Sequence, residues 1–317
     1  MISFSDIESA HKTLKPVIHK TPLLSSRTFN QLTGNEVYFK AENFQRIGAF
    51  KFRGAYNKIA SLTDEERKSG IIAHSSGNHA QGVALAAKLF GIKAIIVMPS
   101  DSVKSKVEAT KGYGAEVVFC GNTTDDREQT TDKLIKKFDY TLIHPYNDEK
   151  LIAGQGTVAL EIFQDLKNLD YLFVPIGGGG LISGCALAAK NLFPNVKVIG
   201  VETEGANDCY QSFRAKKIIK LQSVNTIADG MRTLSVGTLN FEIIQHYVDD
   251  VITIKDDDIF PMMKFFLERM KIIVEPTGAV APAAVMKNIL NIKGKKICAI
   301  ISGGNVDPNL LKSLLAN

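Results

Sequence analysis

The absences in this chain narrow its function first. Its four cysteines, Cys120, Cys185, Cys209 and Cys298, form no CxxC and no other close pair. Neither a disulfide scaffold nor a zinc framework is expected, and the cysteines read as small side chains of a reduced compartment. The six histidines are dispersed and HExxH does not occur, which removes the zinc-hydrolase signature. No glycine loop ends in Gly-Lys-Ser/Thr, so an ATP P-loop is excluded. The net charge is +5, yet the basic residues are scattered among acids without a Lys/Arg block, and no nucleic-acid partner is expected. No apolar run is long enough to span a bilayer. The opening Met1-Ile2-Ser3-Phe4-Ser5-Asp6 has no basic segment leading into an apolar one. A cytoplasmic enzyme acting on a small molecule, with no membrane partner, is the expectation.

What remains is ordinary in composition and regular in rhythm. The chain has 317 residues, 45% apolar and 22% charged, enough for a sizeable core in two lobes. From residue 71 onward, short β-branched runs alternate with helical periodicity. Strands are expected at 71–74, 94–98, 116–119 and 141–144, with helices at 79–90, 103–112 and 125–137 between them. The alternation resumes with a helix at 152–166. Strands follow at 171–176, 196–201, 251–254 and 296–301, and helices at 181–192, 256–271 and 277–290. Residues 205–240 read as irregular. Near the N-terminus, helices are expected at 5–14 and 26–32, then a strand at 37–41 and a helix through Tyr56 and Ile59 with Arg53 and Lys58 outward. Such alternation is the signature of parallel sheets covered by helices, here in two open α/β lobes.

Three stretches carry candidate chemistry. In Gly48-Ala49-Phe50-Lys51-Phe52-Arg53-Gly54-Ala55, one lysine stands between two aromatic rings. Gly177-Gly178-Gly179-Gly180 follows a buried strand and opens a helix, where backbone N–H groups can converge on a phosphate. Ser75-Ser76-Gly77-Asn78-His79 is a second strand-to-helix turn, suited either to a carboxylate or to plain capping. A lysine that can be desolvated, beside a phosphate cradle with no ATP motif, suggests a Schiff-base cofactor. A dinucleotide reading competes with it: Gly178, Gly180 and Gly184 give GxGxxxG, and Glu202 ends the next strand at the place of a ribose-binding acid, as in an NAD-dependent oxidoreductase. Glu202 and Asp208 could also offer oxygen ligands to Mg²⁺ or Ca²⁺. Ser302-Gly303-Gly304-Asn305 ends the last core strand, another position where α/β sheets bind ligands.

Taken together these stretches resemble the fold type II pyridoxal-phosphate enzymes (the tryptophan synthase β-like fold), and within them the serine racemase / serine–threonine dehydratase family. The ordered matches run from Thr21-Pro22 through residues 50–55 and 75–79, Ile-Ala-Gly-Gln-Gly-Thr at 152–157, and Pro-Ile-Gly-Gly-Gly-Gly at 175–180. They continue with Ala-Asp-Gly at 228–230, Glu-Pro-Thr-Gly at 275–278 and Ser-Gly-Gly-Asn at 302–305.

The resemblance implies a large cofactor-binding domain from 1–45 and 148–317 and a small mobile substrate domain at 46–147. Lys51 would hold pyridoxal 5'-phosphate as a Schiff base and act as the base on one face of the substrate. Phe50 would pack on the ring, Asn78 would meet the ring hydroxyl, and Gly177–Gly180 with Leu181 would hold the phosphate. Ser302 would face the pyridine nitrogen. Ser75, Ser76, Asn78 and His79 would bind the substrate carboxylate, with Ser76 as acid–base on the opposite face. Glu202, the carbonyl of Ala206 and Asp208 would hold Mg²⁺, Ca²⁺ or Mn²⁺. The implied reaction is β-elimination from L-serine or L-threonine to a 2-oxo acid and ammonia, with serine racemisation through Ser76; a 3-hydroxyaspartate dehydratase is the alternative. A homodimer is implied as well. Tyr146 stands where animal racemases have asparagine and some dehydratases have tyrosine.

Overall fold

The computed structural model describes residues 2–316. In chain order, α1 (Phe4–Leu14), β1 (Leu23–Ser25), α2 (Arg27–Thr33) and β2 (Glu36–Ala41) come first. Lys51 opens α3 (Lys51–Ala60), and α4 (Asp64–Ser69) follows. Next come β3 (Ile71–His74), α5 (Asn78–Phe90), β4 (Ala94–Pro99), α6 (Lys104–Gly112), β5 (Glu116–Cys120), α7 (Thr124–Phe138) and β6 (Thr141–Leu142). The second half holds α8 (Glu149–Asp165), β7 (Tyr171–Pro175), α9 (Gly180–Leu192), β8 (Lys197–Thr203), α10 (Asp208–Ala215), α11 (Thr238–Tyr247) and β9 (Asp250–Ile254). It closes with α12 (Ile259–Phe265), α13 (Pro276–Lys287), β10 (Lys296–Ile301) and α14 (Pro308–Ala316).

The strands form two sheets. One has the order β1-β2-β10-β7-β8-β9, the other β5-β4-β3-β6. Every pairing is parallel except β1 on β2, an antiparallel edge. The parallel runs are nearly all apolar because helices cover both faces. Val97 and Ile96 of β4, or Val198 and Val201 of β8, are all shielded from water. The core of the larger sheet divides into one layer around α8 and α9 and another around α12 and α13, and a third core lies in the smaller sheet.

Two glycines set how closely α8 and α9 cross. A Cβ on Gly184 would lie 2.4 Å from the Ile152 carbonyl, and one on Gly156 would lie 2.8 Å from the Gly184 carbonyl. Contact this close fixes the height of α9, and with it the glycine loop at its start.

Several expectations change. Arg53 is not outward but fully buried. Its guanidinium meets Glu42 at 2.8 Å and Glu161 at 2.7 Å, and Lys40 meets Glu161 at 2.6 Å. The strand expected to reach residue 144 stops at Leu142, because the chain turns under the His144 ring. The stretch 205–240 contains α10. The helix expected at 256–271 divides into a 3₁₀ turn, α12 and a wider π turn at Phe266–Met270. Three of the four cysteines are buried, Cys120 is half-buried, and all four are free thiols.

Candidate active site

The candidate residues gather where the chain passes between the two sheets. Residues 48–50 cross over residues 302–304: the Phe50 N–H donates to the Ser302 carbonyl at 3.0 Å, Gly304 N–H to the Gly48 carbonyl at 2.9 Å, and Ala49 bridges Gly303. This places Lys51 at the start of α3 beside the end of β10. The Lys51 ammonium donates to the Pro145 carbonyl at 2.7 Å and lies 5.4 Å from the centre of the Phe50 ring. Burial strips water from it and brings its pKa down from 10.5 to about 8. An amine so placed is far more often neutral at physiological pH than a surface lysine.

Two helix N-termini open onto this region without a side-chain cap, so first-turn N–H groups of each lack an intrahelical acceptor. One is α9, reached through Gly177–Gly180. Gly179 has φ +95°, which any other residue would adopt only under strain. A Cβ on Gly178 would fall 2.2 Å from the Tyr146 ring, which lies flat on the loop. Leu181 sends its side chain into the core and offers only its backbone here. The other N-terminus is α5, beginning at Asn78. In the preceding turn the Ser75 hydroxyl accepts from Gly77 N–H at 3.2 Å, a local turn contact that leaves the first-turn N–H groups of α5 uncapped.

The His79 imidazole faces inward. Its partner is the Ile143 carbonyl at 2.9 Å, which can only accept, so Nε2 carries the proton and Nδ1 is left without a partner. Burial, and then the Lys51 charge, push its pKa well down. His79 therefore offers its backbone N–H to an anion rather than a charged ring.

The turn after β6 is held by His144. Its Nδ1 accepts from the backbone N–H groups of Tyr146 at 3.2 Å and Asn147 at 2.9 Å. Burial, with His74 and Lys51 nearby, lowers its pKa to about 4. The turn presents the Pro145 carbonyl to Lys51 and the Tyr146 carbonyl to Asn240, whose amide also donates to the Gly178 carbonyl at 2.8 Å.

At the end of β10, the Ser302 hydroxyl is buried and has no hydrogen-bond partner. A buried hydroxyl left unsatisfied costs about 1–3 kcal/mol, so a ligand atom that supplies a partner would be favoured there. Together, a desolvated lysine, an orphaned serine and two uncapped helix ends suit an anionic, aldehyde-bearing ligand with a ring nitrogen, and pyridoxal phosphate meets each of these.

The dinucleotide reading fails in this geometry. Gly184 serves helix packing, and the Glu202 carboxylate is turned into the protein, where it accepts from the N–H groups of Cys209 at 3.2 Å and Tyr210 at 2.7 Å. The Asp208 charge reaches Glu202, and Ala206 pairs with Thr203, the residue after Glu202. The Ala206 N–H donates to the Thr203 carbonyl at 3.1 Å, and neither Asp208 oxygen nor the Thr203 hydroxyl has a partner. Burial raises the Glu202 carboxyl well above its usual range, with the Asp208 charge adding to it, and burial pushes Asp208 up to about 7. Among the described residues no group of three or more His, Cys, Asp or Glu side chains comes together to hold a metal ion, so a cation here would have only these two carboxylates and neighbouring neutral oxygens.

Four participants escaped sequence reading. The Pro145 carbonyl and the His144 turn are backbone features with no side-chain motif. Glu275 and Asn305 lie in motifs that stood out, Glu-Pro-Thr-Gly and Ser-Gly-Gly-Asn, but their contact with Asn78 is a fact of the fold: Asn78 donates to Glu275 at 2.6 Å and accepts from Asn305 at 2.7 Å.

Comparison with known proteins shows the family. The sequence model of the family described as "Pyridoxal-phosphate dependent enzyme" matches residues 14–303. The L-threo-3-hydroxyaspartate ammonia-lyase of Saccharomyces cerevisiae is 47% identical over 99% of this chain and 96% of its own length. The L-threonine ammonia-lyase of Thermotoga maritima is 45% identical over 99% of this chain and 78% of its own. The solved structure of maize serine racemase superposes with a TM-score of 0.95, at 42% identity, covering 99% of this chain and 97% of the other.

Proposed function

The chain belongs to the pyridoxal-phosphate dependent enzymes, and we propose that it removes water and then ammonia from small β-hydroxy amino acids, L-serine and L-threonine among them, and racemises serine. L-threo-3-hydroxyaspartate is the alternative substrate, supported by the 47% identity to an ammonia-lyase of that name. Pyridoxal phosphate, when bound, supplies an electron sink that acidifies the hydrogen on the substrate's α-carbon. The protein's own groups do the rest.

Lys51 would hold the cofactor and, as a free amine, would take the α-hydrogen. A pKa of about 8 keeps a useful fraction of it neutral, and the Pro145 carbonyl orients its nitrogen. The α9 terminus at Gly177–Gly180 and Leu181 takes the phosphate. Ser302 would offer a hydroxyl rather than a carboxylate to the ring nitrogen, which would leave that nitrogen largely unprotonated and the sink mild. Phe50 would pack on the ring and Asn78 would meet its hydroxyl. The α5 terminus, with Ser75, Ser76, Asn78 and His79, takes the substrate carboxylate. Ser76 exchanges a proton on the face opposite Lys51. Glu202, Asp208 and the Ala206 carbonyl would hold a divalent cation, which would neutralise two buried acids. Small-lobe motion at 46–147 against a large domain of 1–45 and 148–317, homodimer assembly and a cytoplasmic location belong to the same reading. Among the described residues no helix is long and apolar enough to cross a membrane.

One observation carries the reading: an amine stripped of water, opposite a carbonyl rather than a carboxylate, where two uncapped helix termini meet. The test is a visible spectrum of the protein with pyridoxal phosphate, followed by L-serine, L-threonine and L-threo-3-hydroxyaspartate with assays for 2-oxo acid and D-serine. Lys51→Ala should abolish the visible band; a band that persists unchanged removes Lys51 from its role. Ser76→Ala should cut D-serine formation at least 100-fold, the scale of a lost acid–base group, and spare pyruvate formation. Equal loss of both products would deny Ser76 that part.

A further inference from the structure

A line of side-chain amides runs through the crossing between the two sheets, and its donor–acceptor pattern can be read without ambiguity. It begins at Ile47. This β-branched residue has φ +59°, a conformation rare for such side chains and costing of order 1–3 kcal/mol. The Ile47 carbonyl accepts from Asn305 Nδ2 at 2.7 Å, and the same nitrogen donates to Asn78 Oδ1 at 2.7 Å. Asn78 Nδ2 then donates to Glu275 Oε1 at 2.6 Å. Glycines make room for both flanking side chains: a Cβ on Gly48 would lie 2.7 Å from Asn305 Oδ1, and one on Gly303 would lie 2.3 Å from Glu275 Oε1.

A backbone carbonyl can only accept, so the nitrogen of Asn305 must face Ile47. Both of its N–H bonds are then spent, one on Ile47 and one on Asn78. Asn78 must therefore present its oxygen to Asn305 and its nitrogen to Glu275. Turning the Asn78 amide over would set nitrogen against nitrogen and oxygen against carboxyl oxygen. One N–H of Asn78 is left over, with its direction fixed from both ends.

We propose that Asn305 and Glu275 are positioning residues for the cofactor, locking the Asn78 carboxamide so that its remaining N–H always points at the oxygen on the pyridoxal ring. This rests on the function proposed above, which puts Asn78 beside that oxygen. A permanently offered donor favours the ring oxygen in its deprotonated form, which sets the colour of the bound cofactor as well as its retention. The strained backbone at Ile47 is thereby tied to the electronic state of the cofactor.

The test uses isosteric changes on the whole protein loaded with pyridoxal phosphate. Asn305→Asp keeps the shape but turns both donors into acceptors facing acceptors. It should shift the visible band toward the protonated-oxygen form and weaken cofactor retention about tenfold, the scale of one lost hydrogen bond in a buried site. Glu275→Gln can still accept from Asn78 and should keep the parent band; Glu275→Met, which cannot, should shift it. Should Asn305→Asp fail to fold, the Glu275 pair decides. An unchanged band and unchanged retention in folded Asn305→Asp overturns the inference, as does a Glu275→Gln spectrum as altered as that of Glu275→Met. If the parent chain takes up no pyridoxal phosphate, the proposed function falls and this inference with it. A normal parent beside an unaltered Asn305→Asp overturns the inference alone.

Discussion

Of the five buried acids among the described residues, Glu42 and Glu161 are answered by cations of the protein itself, and Glu202 and Asp208 are not. Glu42 and Glu161 lie among Arg53 and Lys40. Burial would raise the Glu161 carboxyl, but the hydrogen bonds and charges of Arg53 and Lys40 outweigh it and hold it below its usual value. Burial likewise works against the Arg53 charge, and Glu42 and Glu161 raise its pKa in spite of it. Glu202 meets two backbone N–H groups and the Asp208 charge, and both carboxyls move up. The first pair is complete as folded and ties β2, α3 and α8 together two residues from Lys51. The second is complete only with a proton or a cation added. A buried charge that the chain neutralises is scaffold; one left open marks where the chain relies on something from outside.

The comparison breaks most visibly at Arg53. Arg53→Met leaves Lys40 on Glu161 and only the Thr21 hydroxyl on Glu42, and the expected loss is about 3–5 kcal/mol of unfolding free energy in urea titration, because an uncompensated charge stays buried. An unchanged midpoint would mean that the two pairs do not differ as described. Cations sharpen the other side. The folded-state pKa of Asp208, about 7, exceeds its ordinary value of 3.8, so the folded state holds a proton that the unfolded chain gives up. Metal-free stability should therefore fall as pH rises from about 4 towards 7, and millimolar Mg²⁺, Ca²⁺ or Mn²⁺ should restore it at about pH 8 and do little at about pH 5. Melting temperatures with and without EDTA at the two pH values check this; an equal response at both would place the cation elsewhere. The smallest effect is expected from Asp208→Asn. In EDTA at about pH 8 it should gain roughly 1 kcal/mol by removing an unpaired buried charge, and it should abolish the response to cations. A variant that still responds would leave Glu202 and Ala206 sufficient by themselves.

What could be read in advance follows the range of the interactions involved. Strands such as Tyr171–Pro175 and Lys296–Ile301 announce themselves because burial on both faces demands continuous apolar residues, a local property. The glycine loop was legible for a similar reason, since four successive glycines are costly without a use. Arg53 was misread because its partners lie 11 and 108 residues away, and nothing near it in sequence says that it is paired. Strand β1 has three residues, too few for any period to show. The Asn78 relay depends on side chains 197 and 227 residues distant, so its motifs were visible while their connection was not.

The order of strands in the larger sheet bears on how the molecule comes into being. Strand β10 lies between β2 and β7, pairing residues 296–301 with residues 36–41. The smaller sheet uses strands lying close together between residues 71 and 142. During synthesis from the N-terminus, that sheet has all its strands early, whereas β2 waits with an open edge until almost the whole chain has been made. Lys51 stands between the two, so the site proposed around it is not complete until β10 joins the sheet. A shortened chain lacking β10 would carry nearly every residue proposed for catalysis and still have no site in which to use them.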